Sequence, residues 1–193
     1  MSLPLARLEL RLAAVAGWLC AAILLVNTAK RAALLPANPI TQLLAPLGVI
    51  FAIGLILGLY VAARRSGGAL LTIGLIANLA AVAGLVGGEY VSNFVFAYIE
   101  PAQVDELLAG PLGVALTVTS LLFIVATLVY TAGLWQGGAP RLPVVLWAVA
   151  VFPIGLRAFV PELALQLGLV VLAAAVVWLS VTLWNRAVEP TTA

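Results

Sequence analysis

Apolar residues fall in six long runs along the chain, near residues 10–28, 45–63, 69–88, 111–135, 143–160 and 163–184. Helix-breaking residues lie between them: Pro36 and Pro39, Gly67 and Gly68, Pro101, Gly137 and Gly138, and Pro161. A helix needs about 20 apolar residues to cross a hydrocarbon core of about 30 Å. In lipid the backbone must satisfy its own N–H and C=O groups, so each run reads as a helix and none as a strand. The pattern predicts an all-α polytopic membrane protein. Its single domain, residues 1–193, is a bundle of six transmembrane helices.

Composition strengthens this reading. The chain is 65% hydrophobic and 8% charged, whereas an ordinary soluble domain is about 45–50% apolar and about 25% charged. It lacks the polar groups to cover its own surface in water, so the lipid bilayer is its first expected partner. Six spans leave only short connections in 193 residues, with no room for a soluble domain. The net charge is +2 and the isoelectric point near 9.0. Even so, the nine basic residues are scattered and form no stripe, so nucleic acid is not an expected partner. Arg7 and Arg11 precede an apolar stretch from Leu12 to Val26, as in a signal peptide. No small-x-small cleavage site follows, and Gly17-Trp18-Leu19 before Cys20 does not suit a lipoprotein signal, so an uncleaved first span is expected.

Charge also predicts orientation. With the N-terminus in the cytoplasm, the inner segments hold Arg7, Arg11, Arg64, Arg65, Arg141 and Arg186, and the outer ones Lys30, Arg31 and Arg157. That is the bias of the positive-inside rule, and it puts both ends of the chain inside. The acidic residues agree: Glu89, Glu100, Asp105, Glu106 and Glu162 fall outside, Glu9 and Glu189 inside. Trp135 and Trp184 fall at inner ends, where indole rings favour the headgroup level.

A phrase recurs. Leu43 to Val49 reads LLAPLGV and Leu107 to Val114 reads LLAGPLGV; each span so opened ends in a Gly-Gly-Ala turn, at Gly67 and at Gly137. Pro161 followed by Leu167-Gly168 echoes it. Each outer connection thus runs from a proline suited to start a helix, through leucines, to Leu-Gly. The unit would be a helical hairpin, with its copies parallel.

Catalytic chemistry finds few side chains. There is no histidine, one cysteine, one methionine, and Asp105 is the only aspartate. That removes the imidazole base, the usual haem ligand and His-containing zinc sites. Lys30 is the sole lysine, and its expected outer position does not suit activation of a serine within the membrane. No catalytic residue, metal or cofactor is expected, and a non-enzymatic role is.

Three sets of residues remain as candidates. Glu89 and Arg157 flank the outer ends of the third and fifth spans; they either snorkel to the interface or pair, Arg157 with Glu89 or Glu162, to close the outer face or bind an anionic group. Pro153 favours pairing, because a kink frees carbonyls that something must satisfy. Thr117, Ser120, Thr127 and Thr131 recur at intervals of three, seven and four, on one face of the fourth span. With Asn78 of the third span they either line a polar path or bond between helices. Gly54 with Gly58, and Gly84 with Gly88, form GxxxG pairs for packing within the bundle or for dimerisation.

The segment from Glu89 to Gly110 is the longest connection, aromatic at Tyr90, Phe94, Phe96 and Tyr98, then acidic. Residues Pro101 to Leu108 read as a short amphipathic helix ending at Gly110, and the whole segment as a partner surface. Pro101, Gln103, Leu107 and Leu108 lead into a long span, a glycine turn, the Pro-Arg-Leu-Pro element from Pro140 to Pro143, and two closing spans. This layout resembles that of small six-helix bacterial membrane proteins of uncharacterised function. The resemblance implies six spans in a bacterial plasma membrane and transfers no site residue. Two functions are expected from these features: binding of a membrane partner, or a small oligomeric transporter or channel whose path follows the fourth span.

Overall fold

The computed structural model describes residues 3–188. Glu189, counted above among the inner acidic residues, lies outside the described residues. The chain forms α1 (Leu3–Arg31), α2 (Pro39–Ala63), α3 (Gly68–Phe94), α4 (Pro101–Ala109), α5 (Pro111–Gln136), α6 (Arg141–Gly155) and α7 (Glu162–Val188). A single 3₁₀ turn, Phe96–Tyr98, links α3 to α4. No strand occurs among the described residues.

Five of these helices, α1, α2, α3, α5 and α7, are long and apolar enough to cross a membrane. Of the six expected spans, one is shorter than a crossing. The run at 143–160 yields only the 15-residue α6, which ends at Gly155. At 1.5 Å per residue that is about 22 Å, short of a hydrocarbon core of about 30 Å. At its last residue α6 lies against α5, where an added Cβ at Gly155 would come 2.5 Å from Ile124. Residues 156–159 then turn away from the helix axis. Conversely, α3 does not stop at Gly88 but runs six residues further, so Glu89 lies inside a helix.

Helix starts follow side-chain chemistry. Asn38 Oδ1 accepts the Thr41 N–H at 3.0 Å and Thr41 Oγ1 accepts the Asn38 N–H at 2.9 Å, with Pro39 opening α2. Gln103 Oε1 accepts the Glu100 N–H at 3.3 Å, with Pro101 opening α4. Such reciprocal capping satisfies donors that the first turn leaves free. In the two Gly-Gly-Ala turns the second glycine takes a left-handed conformation, φ +61° at Gly68 and φ +77° at Gly138, which a side chain would disfavour.

The six apolar helices close into a ring in chain order. Helix α1 packs on α2, α2 on α3, α3 on α5, α5 on α6, α6 on α7, and α7 returns to α1. Small residues permit the closest approaches. Gly54 and Gly58 face Ala16 and Ala13 of α1, and Gly84 and Gly88 face Thr119 and Leu116 of α5. All four candidate glycines therefore pack within the chain. Two that the GxxxG pattern did not single out press on backbone rather than on side chains: Gly74 faces the backbone of Tyr130, and Gly133 faces that of Leu71.

One end of the ring holds both glycine turns, where Ser66 Oγ donates to the Gly137 carbonyl at 3.0 Å. Arg11 lies over the Trp184 ring at 5.5 Å and Arg141 over Trp135 at 5.4 Å. The middle of the ring is filled from this end by Tyr130, which is fully buried. Its hydroxyl donates to the Ile56 carbonyl of α2 at 2.6 Å, and Trp147 meets its ring edge-on at 6.0 Å. The other end of the ring is open.

Candidate functional site

The open end surrounds a cavity of about 920 Å³. It is built where helix ends converge: the last turn of α1, the first turns of α2, the last turns of α3, the first half of α5, and the stretch following α6. Its polar side chains form one connected chain. Arg157 Nη1 donates to Glu89 Oε1 at 2.9 Å. Asn93 Nδ2 donates to Glu89 Oε2 at 3.1 Å, and Lys30 Nζ donates to Asn93 Oδ1 at 2.9 Å. Lys30 Nζ also donates to the Thr41 carbonyl at 3.5 Å. One asparagine thus bridges a carboxylate and an ammonium drawn from different helices.

Beside this chain, Arg31 grips Glu162 through two bonds of 2.7 Å, tying the end of α1 to the start of α7. Tyr98 Oη donates to Gln42 Oε1 at 2.7 Å and fastens the long connection to α2. The two ion pairs differ in setting. Glu89 is only 18% exposed and Arg157 33%, against 49% for Glu162 and 36% for Arg31. The Arg157–Glu89 pair is therefore less screened by solvent, and removing Arg157 alone would strand a poorly hydrated carboxylate. Of the two partners expected for Arg157, Glu89 takes it; Glu162 is held by Arg31 instead.

The polar face of α5 divides. Thr117 and Ser120 line the cavity, with Thr117 Oγ1 donating back to the Gly113 carbonyl at 2.8 Å. Thr127 and Thr131 lie below it and are buried. Asn78 Nδ2 donates to Thr127 Oγ1 at 3.1 Å, and Thr131 Oγ1 donates to the Thr127 carbonyl at 2.8 Å. The four hydroxyls share a face, as their spacing indicated, but they do not line one continuous path. Helical periodicity specifies direction around an axis and carries no information about depth along it.

Asn78 is fully buried and its Oδ1 has no hydrogen-bond partner. Its amide is thus held by Thr127 alone. Thr127→Val, which removes that acceptor at nearly constant volume, is expected to lower the unfolding free energy by about 1–2 kcal/mol. The cost of an orphaned buried amide adds to that of a lost interhelical bond. Denaturant unfolding in mixed micelles would measure it; an unchanged midpoint would show that this bond is not formed.

Sequence reasoning overlooked Lys30, Arg31, Asn93 and Gln42 as members of this site. The signal for Asn93 was its position four residues after Glu89, which places both on one helix face once α3 is continued past Gly88. Lys30, the sole lysine, carried its own signal at the end of a span. Five charges meet here: Lys30, Arg31 and Arg157 against Glu89 and Glu162, three positive and two negative, leaving one positive. Among the described residues no carboxylate oxygen lies within 4.0 Å of Lys30 Nζ, which is linked to Glu89 through Asn93. No group of three or more metal-ligating side chains occurs among the described residues.

Compared with family models, with curated proteins and with solved structures, the chain matches none.

Proposed function

We propose that this is a non-enzymatic, multi-pass protein of a bacterial plasma membrane that acts by binding a membrane partner in its cavity. In this reading α6 and the turn after it complete a sixth crossing, both ends of the chain are cytoplasmic, and the cavity faces outward. The observation that carries it is the blind shape of the ring: open and charged at one end, filled by Tyr130, Trp147 and the Asn78–Thr127 pair below. A blind cavity suits holding a ligand better than passing one through. Basic residues gather at the glycine-turn end, with Arg64, Arg65 and Arg141 beside the turns, which supports the orientation.

The second reading, a small oligomeric transporter with α5 lining the path, draws on Thr117 and Ser120 at the cavity wall. Cysteine labelling separates the two. In a Cys20→Ala background, a membrane-impermeant maleimide added outside intact cells is expected to label Ser120→Cys and Glu106→Cys, but not Thr127→Cys or Ser66→Cys. Labelling of Ser66→Cys with none at Glu106→Cys would invert the orientation. Labelling at Thr127 in any condition would shift the reading to transport.

A further inference from the structure

The cavity has two kinds of wall, and together they define the chemistry of an occupant. Around its rim stand Lys30 and Arg157, joined through Glu89 and Asn93. Lower down it is mostly apolar, with Thr117 and Ser120 on the α5 side. Val114, Val118 and Leu121 of α5 line it and are 65%, 58% and 52% exposed, and Leu165 and Leu169 of α7 line it opposite. From the start of α5 at Pro111 to Leu121 is ten residues, about 15 Å of helix. That is about half the hydrocarbon thickness, the depth of one leaflet.

The shortness of α6 gives this wall its opening. In the ring α6 stands between α5 and α7, yet it ends at Gly155 while both neighbours continue. Its missing length, about 8 Å against a full crossing, falls at the cavity end. A water-soluble solute would leave the exposed valines and leucines of α5 facing water. An acyl chain would cover them. At the rim, Lys30 makes its hydrogen bonds to neutral oxygens, and Arg157 spends only one of its five N–H donors on Glu89.

We infer that the cavity holds one anionic phospholipid of the adjacent leaflet, its phosphate bound by Lys30 and Arg157 and an acyl chain laid along Val114, Val118 and Leu121. The single negative charge of such a headgroup matches the single surplus positive charge of the site. Charge-assisted bonds from ammonium and guanidinium groups are the strong ones for phosphate. The inference rests on the binding reading above and specifies its ligand. It does not depend on sidedness, since the same site would accept a lipid from whichever leaflet it meets.

The test is native mass spectrometry of the full chain in detergent micelles, titrated with dioleoyl phosphatidylglycerol, dioleoyl phosphatidylcholine or glycerol phosphate. One phosphatidylglycerol per chain is expected to be retained, the zwitterionic lipid about tenfold less, and glycerol phosphate not at all. Lys30→Gln, which keeps a donor to Asn93, is expected to weaken phosphatidylglycerol retention about tenfold, while Lys30→Arg retains it. Val118→Trp, which fills the apolar wall and leaves the charges intact, is expected to weaken it as well. Melting of each variant without lipid, followed by circular dichroism, controls for folding. Equal retention of both lipids, or retention unaffected by Lys30→Gln and Val118→Trp, would overturn the inference. Binding of glycerol phosphate as tight as that of the lipid would overturn its acyl-chain half. Because the measurement has no sidedness, these outcomes are independent of the labelling result that decides orientation.

Discussion

Gly133→Leu is expected to prevent α3 and α5 from docking and to lower the unfolding free energy by about 3 kcal/mol, the upper end of overpacking effects. A Cβ at Gly133 would lie 2.5 Å from Leu71 Cα, and one at Gly74 would lie 2.6 Å from Tyr130 Cα. In both cases the obstacle is backbone, which cannot rotate away as a side chain can. The two glycines face each other's helix within one interface, so a side chain at either separates the same pair of helices. Gly87→Leu provides the control, since a Cβ there meets nothing within 4 Å. A substitution away from packing is expected to change stability by about 0.5 kcal/mol or less. Denaturant titration of both variants in mixed micelles would compare them. If Gly133→Leu unfolds with the parent chain while α3 and α5 remain in contact by cross-linking, the close approach described here is wrong.

The second large effect belongs to the ion pair at the cavity rim. Arg157→Met leaves Glu89, only 18% exposed, with Asn93 as its remaining side-chain donor. An exposed pair contributes about 0–1 kcal/mol, and breaking a fully buried pair costs about 3–5 kcal/mol. This pair lies between those limits, and a loss of about 2 kcal/mol is expected. Most of that loss comes from stranding the carboxylate rather than from the attraction itself. The double variant Arg157→Met/Glu89→Gln should therefore recover most of it, because Gln has no charge to strand. The full cycle, read from unfolding midpoints, measures the coupling. Additive losses in the double variant would mean that the two side chains do not interact.

Much of this architecture was legible in the sequence, for physical reasons that can be named. The apolar runs and the glycine turns report on solvent and on backbone conformation, which are local. Hence a helix start at Asn38-Pro39 and the short helix from Pro101 both follow from nearby residues, although the former runs unbroken into the span expected from residue 45. The end of α6 did not follow: the apolar run continues to Val160, whereas the helix ends at Gly155, which lies against Ile124 of another helix. Nor did the continuation of α3, since Gly87 and Gly88 weaken a helix without ending it. The site was half legible. Glu89 and Arg157 stood out as charges beside apolar spans, but the choice of Glu89 over Glu162 depends on where three helix ends meet. Lys30 and Asn93 acquire their role only at that meeting point. Tyr130, which fills the ring, had no pattern to reveal it: an aromatic in an apolar helix reads the same whether it faces lipid or the interior.

The closure of the ring between the first and last helices has a consequence for how the protein is made. Trp18 stacks near Trp184 at 5.3 Å, Gly17 receives Ser180, and Arg11 covers the Trp184 ring. As the chain leaves the ribosome, α1 through α6 can assemble only into an arc with an unsealed edge. Along that edge Gly17 lacks Ser180 and Trp18 lacks Trp184 until α7 arrives. Helix α7 brings Leu165 and Leu169, the far wall of the cavity, together with Glu162, the anchor for Arg31. The far wall of the cavity therefore comes into existence only with the last helix, and a chain short of α7 carries Lys30, Arg157 and Val118 without it.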